Sequence, residues 1–91
     1  MRDRRLNAIR NSIDLVQFMS VDILLEECTA DHFIGGCIFS KRFHDLSINR
    51  ARQSWKCDAC QIGGDIFSYV MARDKVELRG AIAILESFLA T

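Results

Sequence analysis

The sequence has no proline, no long apolar run and no net charge, and each absence excludes a class of protein. No proline, internal repeat or low-complexity linker interrupts its 91 residues, which favours one compact domain over residues 1–91. No apolar run reaches the roughly 18 residues that a membrane span needs, so we expect a soluble protein with no membrane partner. Twelve Lys and Arg residues balance twelve Asp and Glu residues, which argues against binding of polyanions through bulk charge.

A secretory signal is also missing. The first residues, MRDRRLNAIRNSIDL, contain no apolar stretch of the roughly 7–15 residues found in signal peptides, so we expect a cytoplasmic location. Four cysteines in a reducing compartment are more typical of metal binding than of disulfides.

The zero net charge is the sum of segments of opposite sign. Residues 1–10 contain four arginines against one aspartate, whereas residues 11–40 contain five acidic residues and no lysine or arginine. Residues 41–56 have a net charge of +4, and aromatic residues lie among these charges. Most charged runs are solvated surface, but a basic run with interleaved aromatic residues is also typical of nucleic-acid binding.

Apolar periodicity predicts helices at both ends of the chain. An apolar stripe at helical spacing predicts a helix over residues 5–20, and residues 21–29 either continue it or form a second turn. A second helix is predicted over about 65–73 with Asp65 as its N-cap, and a third over about 75–89, where Asp74 and Glu77 have the spacing of a capping box.

The middle of the chain has strand and turn signals. Residues 32–37 combine aromatic and β-branched residues with a glycine pair, and residues 46–56 have the pattern of a β-hairpin. We therefore expect an antiparallel ribbon over residues 32–62, and an α+β domain as a whole.

Three of the four cysteines have the spacing of zinc ligands. Cys57 and Cys60 form a C-x-x-C knuckle after a predicted strand, and Cys37 ends another strand upstream. Tight turns at strand ends bring thiolates together on one Zn²⁺. Two other interpretations stay open at this point, a dithiol redox pair at Cys57 and Cys60 and small buried cysteines with no ligand role.

A structural zinc site needs a fourth ligand, and the sequence offers several. Ser40 is a poor zinc donor because its hydroxyl is neutral. We favour His44, seven residues after Cys37, although a single histidine is more often plain surface. Cys28, His32, an acidic residue or a water molecule are the alternatives.

These residues together resemble a known family, the CHC-type zinc finger, which is the N-terminal zinc-binding domain of bacterial and phage DNA primases. The most specific part is the run C-x-x-C-x-x-G-G-D followed by an apolar pair, which begins at Cys57. The resemblance covers most of the chain, namely Asp14-Leu15-Val16, residues 33–39, residues 55–67 and Ala81-Ile82. The family's first knuckle reads Cys-Pro-Phe-His, whereas this chain has Cys37-Ile38-Phe39-Ser40 and a stretch from Cys37 to Leu46 that is one residue shorter.

The resemblance implies a fold and a function. The fold would be a zinc ribbon with a three-stranded or larger antiparallel sheet flanked by N- and C-terminal helices. The three cysteines and a substitute ligand would hold Zn²⁺. In primases this module helps to recognise single-stranded template beside a catalytic domain, which has no counterpart in these residues. We therefore expect a non-enzymatic accessory module, typical of a phage or mobile element.

Two functions from different classes remain. In the first, the module binds single-stranded DNA and assists a separately encoded polymerase, primase or helicase. The candidate contacts are Lys41, Arg42, Arg50, Arg52, Trp55 and Lys56, although Trp55 is also a candidate core residue. In the second, the scaffold is a protein-interaction module that recruits, regulates or inhibits a partner enzyme, with its acidic segment or a homodimer surface as the contact.

Overall fold

Helices at both ends of the chain enclose a run of five strands. A computed structural model describes residues 2–39 and 45–90. The elements, in chain order, are α1 Arg2–Ser12, α2 Leu15–Met19, β1 Leu25–Glu27, β2 His32–Gly36, β3 Asp45–Asn49, β4 Ser54–Cys57, β5 Ile62–Gly64, α3 Ile66–Asp74 and α4 Leu78–Ala90. No helix in this part of the chain is long and apolar enough to cross a membrane.

The five strands form one antiparallel sheet in the order β1-β2-β3-β4-β5. The expected α+β class and antiparallel sheet are therefore confirmed, and β2, β3 and β4 lie where the sequence predicts strands. The outer strands β1 and β5 were not predicted. Each has only three residues, which is too short for a recognisable strand pattern, so these strands are defined by their pairing with a neighbouring strand.

Side chains alternate between a buried and an open face of the sheet. Phe33, Leu46, Ile48, Trp55 and Cys57 point to the helices and belong to the core, together with residues of all four helices. The other face, which we call the open face, carries one cross-strand row made of Glu26, Ile34, Ser47, Lys56 and Gly63. Helices therefore cover one face of the sheet and leave the other to solvent.

The segment predicted to be helical over residues 5–20 forms two helices and not one, because the chain breaks between α1 and α2. Asp14 has an extended backbone with ψ 124° and caps α2 by accepting a hydrogen bond from the Gln17 N–H at 3.2 Å. The same carboxylate accepts from the Gln53 amide at 2.9 Å. Because its carboxylate accepts hydrogen bonds from both the helix end and a distant turn, this aspartate is more stable as a cap than inside a continuous helix.

Two C-terminal helices form, as predicted, but α4 begins later than the sequence predicts. Asp65 caps α3 as predicted, accepting from the Ser68 N–H at 3.0 Å. The helix α4 begins at Leu78 instead of 75, so the predicted capping box does not form. Asp74 instead ends α3 and pairs with Arg73, and Lys75 leaves the helix in the left-handed conformation at φ 56°. This C-cap ends α3 sharply and delays the start of α4.

Candidate metal centre

Three cysteines meet at one end of the sheet. Cys37 follows β2, Cys57 is the last residue of β4, and Cys60 lies in the turn before β5. Their sulfur atoms all lie within 4.8 Å of one another, and the Sγ atoms of Cys37 and Cys60 are 3.7 Å apart. The described residues contain no other such group of candidate ligands.

The spacing of the sulfur atoms fits tetrahedral zinc. With Zn–S bonds of about 2.3 Å, two sulfurs at a tetrahedral zinc ion are about 3.8 Å apart. The observed 3.7 Å between Cys37 and Cys60 meets that requirement with little movement. The donor set also matches, because thiolates are preferred zinc ligands and a metal ion balances the charge of converging thiolates. When bound, zinc would cross-link the end of the sheet through Cys37, Cys57 and Cys60.

Backbone turns fix the position of each thiol. The residue after Cys60, Gln61, has a positive φ of 56°, and its N–H donates to the Asp58 carbonyl at 3.2 Å. This tight turn folds Cys60 back toward Cys57. On the other side, the Phe39 N–H donates to the Cys37 sulfur at 3.4 Å. Such backbone N–H groups stabilise a thiolate and are typical of zinc knuckles.

The thiols of Cys57 and Cys60 have pKa values that move in opposite directions. Burial raises the pKa of the Cys60 thiol to about 12, and the neighbouring thiols Cys57 and Cys37 add to this effect. Burial also acts to raise the pKa of Cys57, but N–H donors of Cys60 and Ala59 and the two other thiols outweigh it and lower the pKa. Like charges at this distance resist ionisation together unless a cation compensates them.

The predicted fourth ligand lies outside the described residues, and the alternatives Cys28 and His32 are not near the cluster. His44 and Ser40 belong to residues 40–44, of which the structure describes nothing. Cys28 is exposed in the turn between β1 and β2, and His32 pairs with Asn49. Both lie at the opposite end of β2 from Cys37, and this five-residue strand rises about 3.3 Å per residue. Cys28 and His32 therefore cannot join the three sulfurs without refolding the sheet.

The predicted nucleic-acid contacts are divided between several positions. Lys56 projects from the open face with a side chain that is 66% exposed. Arg50 and Arg52 lie in the turn between β3 and β4, where Arg50 Nε is 3.3 Å from the Asp14 carboxylate and Arg52 is exposed. Lys41 and Arg42 lie outside the described residues. The turn also means that residues 50–53 do not alternate as strand residues would.

Trp55 is a core residue, which corrects its assignment as a nucleic-acid contact. Its side chain is 3% exposed, and its indole N–H donates to the Asp65 carbonyl at 2.9 Å. The ring packs at 5.4 Å from Phe39 and at 5.8 Å from Tyr69. Because Trp55 occupies a helix-facing position of β4, a nucleic-acid base cannot stack on it. Phe33 of β2 lies in the same cross-strand row and is buried as well.

Four polar residues of the open face were not among the predicted nucleic-acid contacts, and they lie beside Lys56, which was. His32, Asn49 and Ser54 pair across β2, β3 and β4, and the next row contains Ser47 and Lys56. These five residues, with Ile48 and Trp55, line a small depression of about 110 Å³. The sequence pattern that could have predicted these residues is the alternation around Leu46 and Ile48, since burial of these two residues puts Ser47 and Asn49 on the opposite face.

Known proteins share both the sequence pattern and the fold. The family model of the CHC2 zinc finger matches residues 1–90. The fold is similar to the crystal structure of the Aquifex aeolicus primase, which contains zinc-binding and RNA polymerase domains, with a TM-score of 0.80 and 23% sequence identity. The match covers 91% of this chain and 21% of that chain, so this chain spans about a fifth of that protein. No curated protein sequence matches this chain significantly.

The resemblance inferred from the sequence is therefore confirmed. The matched unit is a zinc-binding domain and not a catalytic one. The three-cysteine cluster supplies the thiols that such a domain uses for zinc. Because the family model covers nearly the whole chain, the chain belongs to the CHC2 zinc finger family and has the fold of a primase-type zinc-binding domain.

Proposed function

We propose that this zinc ribbon binds single-stranded DNA across the β3–β4 part of its open face. The observation that carries this proposal is the polar strip formed by His32, Ser47, Asn49, Ser54 and Lys56 on a sheet face that none of the described helices covers. Side chains of these types donate and accept hydrogen bonds to phosphates and base edges. Family membership supports the same use, since primases copy a single-stranded template.

The basic residues beside this strip supply the attraction for phosphates. Lys56 stands in the strip, and Arg52 lies in the adjoining β3–β4 turn. Among the described residues Lys56 forms one ion pair, with Asp58, whose oxygen is 4.0 Å from Nζ, and both side chains are mostly exposed. An exposed ion pair of this length contributes little, so Lys56 is available to a phosphate. Arg50 is held less freely because it also contacts Asp14.

Stacking on aromatic rings contributes less in this proposal than the sequence suggests. Trp55 and Phe33 are in the core, and the open-face positions of the five strands hold no phenylalanine, tyrosine or tryptophan. The imidazole of His32 is the one ring on the described part of this face. Phosphate contacts and hydrogen bonds therefore supply most of the affinity, and binding depends strongly on salt.

A salt titration with a fluorescent oligonucleotide tests the proposal. Each phosphate contact to a single strand contributes a slope of about −0.7 in log K against log salt. Three contacts, from Arg50, Arg52 and Lys56, predict a loss of about two decades in affinity over a tenfold rise in salt. Additional contacts from Lys41 and Arg42 would steepen this to about three and a half decades. Binding that is undetectable or independent of salt contradicts the proposal.

A matched pair of variants locates the surface. Lys56→Gln removes a charge from the strip and should reduce the salt slope by about 0.7. Arg79→Gln removes an equal charge from an exposed position on α4, on the helical side of the molecule, and should leave the slope unchanged. Equal effects of both substitutions would indicate diffuse attraction and not a surface on the open face.

We further propose that the module acts beside a separately encoded replication enzyme, such as a polymerase, primase or helicase, as in a phage or mobile element. The family match is to a zinc-binding domain, so the primer chemistry would belong to that partner. Reconstitution supports this if adding the chain increases primer synthesis by a partner on single-stranded template. The chain alone should synthesise no primer.

We also propose His44 as the fourth zinc ligand. It follows Cys37 by seven residues, and the family histidine is replaced by Ser40 in this sequence. His44→Ala should therefore weaken zinc retention against a competing chelator, whereas His32→Ala should retain zinc because His32 lies at the far end of β2. Equal zinc retention by both variants would contradict the assignment.

A further inference from the structure

The loop before β1 and the β1–β2 hairpin form a surface with exposed apolar and acidic side chains. Val21 and Leu24 are the most exposed large hydrophobic residues described, at 77% and 94%. Glu26, Glu27 and Asp31 are exposed and form no ion pair within the described residues. The other two carboxylates of the acidic segment are already used, because Asp14 and Asp22 pair with arginines.

A depression lies on the open face beside this hairpin. It has a volume of about 500 Å³ and is lined by Leu24, Leu25, Glu26, Ile34, Gly35, Gly36 and Asp45. Its floor is open because Gly36 has no side chain, and no atom of another described residue, chain neighbours aside, lies within 4 Å of the position that a Cβ there would occupy. Apolar walls from Leu24 and Ile34 with carboxylates at Glu26 and Asp45 match a long side chain with an aliphatic stem and a cationic head. We call this feature the acidic depression.

The strand next to the acidic depression is an edge of the sheet. β1 is terminal in the strand order and pairs antiparallel with β2 alone among the described strands. An edge strand has a row of backbone N–H and C=O groups that another extended chain can pair with. The backbone edge, the exposed Leu24 and the acidic depression are therefore adjacent.

The charges on this surface determine the kind of occupant. A second copy paired through β1 would bring Glu26 and Glu27 against the same residues of its neighbour, and like charges across a strand pair are destabilising. Nucleic acid would be repelled by the same carboxylates. A basic, extended protein segment avoids both repulsions because its cations face the carboxylates. Its backbone can also extend the sheet.

We propose that a basic, extended segment of a partner protein adds to β1 as a sixth strand and places a lysine or arginine side chain in the acidic depression. This surface is separate from the strip of His32, Ser47, Asn49, Ser54 and Lys56 proposed for DNA. The protein partner and the DNA would therefore bind different parts of the open face, and the two proposals can fail independently.

The test uses the zinc-loaded full chain and a defined probe. The probe is a capped peptide of about eight residues that alternates lysine and valine, a length that spans a short edge strand. Backbone amide chemical shifts should change at residues 21–27 and 34–36 on titration. A control peptide of the same composition, with alternate amides N-methylated, keeps the charge but cannot pair as a strand and should bind at least about tenfold more weakly.

Three variants separate charge, shape and fold. Glu26→Gln should weaken the lysine peptide by about tenfold, whereas Glu77→Gln, an exposed carboxylate at the start of α4, should have no effect. Gly36→Val should fill the acidic depression and weaken binding without removing a charge, since open space surrounds its Cβ position. Its amide spectrum outside the depression should stay that of the wild type, which verifies the fold.

The outcomes that overturn the proposal are distinct. These are no binding of the lysine peptide, equal binding of the N-methylated peptide, or equal losses from Glu26→Gln and Glu77→Gln. Shift changes centred on Ser47 and Lys56 would assign the peptide to the DNA strip and also overturn it. A concentration-dependent dimer in sedimentation, with shift changes at β1, would identify a second copy as the occupant instead.

Discussion

Two adjacent glycines in β2 have opposite environments. A Cβ at Gly35 would lie 2.6 Å from the Ile23 Cγ2, 2.8 Å from the Leu25 Cδ2 and 3.0 Å from the Leu24 carbonyl oxygen. A Cβ at Gly36 would meet no other part of the described chain within 4 Å. The first glycine therefore permits the loop before β1 to pack closely on the sheet, and the second keeps the acidic depression open.

We predict opposite effects of alanine at these two positions. Gly35→Ala should lower the free energy of unfolding by about 1–3 kcal/mol, because the loop must move or the side chains must leave their rotamers. Gly36→Ala should leave stability unchanged or raise it by up to about 1 kcal/mol, since the backbone there suits any residue and the unfolded chain loses freedom. Chemical denaturation of both zinc-loaded variants measures this, and equal losses would disprove the packing at Gly35.

The residues of the metal centre show what spacing alone can predict. The C-x-x-C knuckle and the strand end before Cys37 were enough to bring together the three cysteines that the structure clusters. The side of the sheet on which Trp55 lies was not predictable, because residues 50–53 form a turn. That turn has a left-handed Gln53 at φ 51°, which interrupts the alternation of side chains between β3 and β4.

At the scale of elements, long periodic segments were predictable and short paired ones were not. α3 and α4 have apolar periods that specify them locally, and their bounds agree with the prediction to within three residues. β1 and β5 are strands of three residues that exist through pairing with β2 and β4. The break before α2 depends on Gln53, which is 39 residues from Asp14, and no local pattern contains that information.

The cap at Asp14 provides a test at this scale. Asp14→Ala removes the N-cap of α2 and the contacts to Gln53 and Arg50, so we expect a loss of about 1–2 kcal/mol in the free energy of unfolding. Glu77→Ala, at an exposed position before α4, is the matched control and should change stability by less than about 0.5 kcal/mol. Similar values for both variants would contradict the role of Asp14 in joining α2 to the β3–β4 turn.

The N-cap of α3 predicts a pH dependence. Burial acts to raise the pKa of Asp65, but the Ser68 N–H and the Arg10 guanidinium, 2.7 Å away, outweigh it and hold this pKa below its usual value. A lowered folded pKa means that the stabilisation is present above the unfolded pKa, about 3.9, and is lost as the pH falls through the folded value. The carboxylate therefore stabilises the fold at neutral pH.

Asp65→Asn isolates this contribution because asparagine also caps helices. We expect a loss of about 1 kcal/mol at pH 7, reduced from the value for a buried pair because Arg10 is partly exposed, and a difference that decreases as the pH is lowered from 7 through the acidic range. Denaturation of both proteins across this range measures it, and the comparison cancels proton effects on zinc. A difference that is constant with pH would contradict the pairing.

At the scale of the whole molecule, the neutral net charge conceals a separation of surfaces. The described basic contacts Arg52 and Lys56 lie on the β3–β4 side, whereas Glu26, Glu27 and Asp31 belong to the β1–β2 hairpin. One sheet face thus contains the strip proposed for DNA and a separate acidic edge. The metal centre lies at one end of the strands that carry both, because Cys37 follows β2 and Cys57 ends β4.

Because the metal centre lies at this position, bound zinc would stabilise the strands that form both surfaces. Removal of the metal should release the ends of β2 and β4 and leave three close thiols, two of which already influence the pKa of Cys60. Chelation should therefore lower the midpoint of thermal unfolding and weaken binding to both oligonucleotide and peptide. An unchanged midpoint after verified zinc removal would show that the sheet does not depend on the metal.

The most direct measurement is the zinc content per chain of the purified wild type, Cys57→Ser and Cys28→Ser. Cys57 is buried in the cluster and Cys28 is exposed at the opposite end of the sheet, so the two substitutions remove the same group from different environments. We predict about one zinc per chain in the wild type and in Cys28→Ser, and its loss in Cys57→Ser. A folded wild type without zinc, or full zinc retention by Cys57→Ser, would contradict the assignment of this chain as a zinc-binding domain built on Cys37, Cys57 and Cys60.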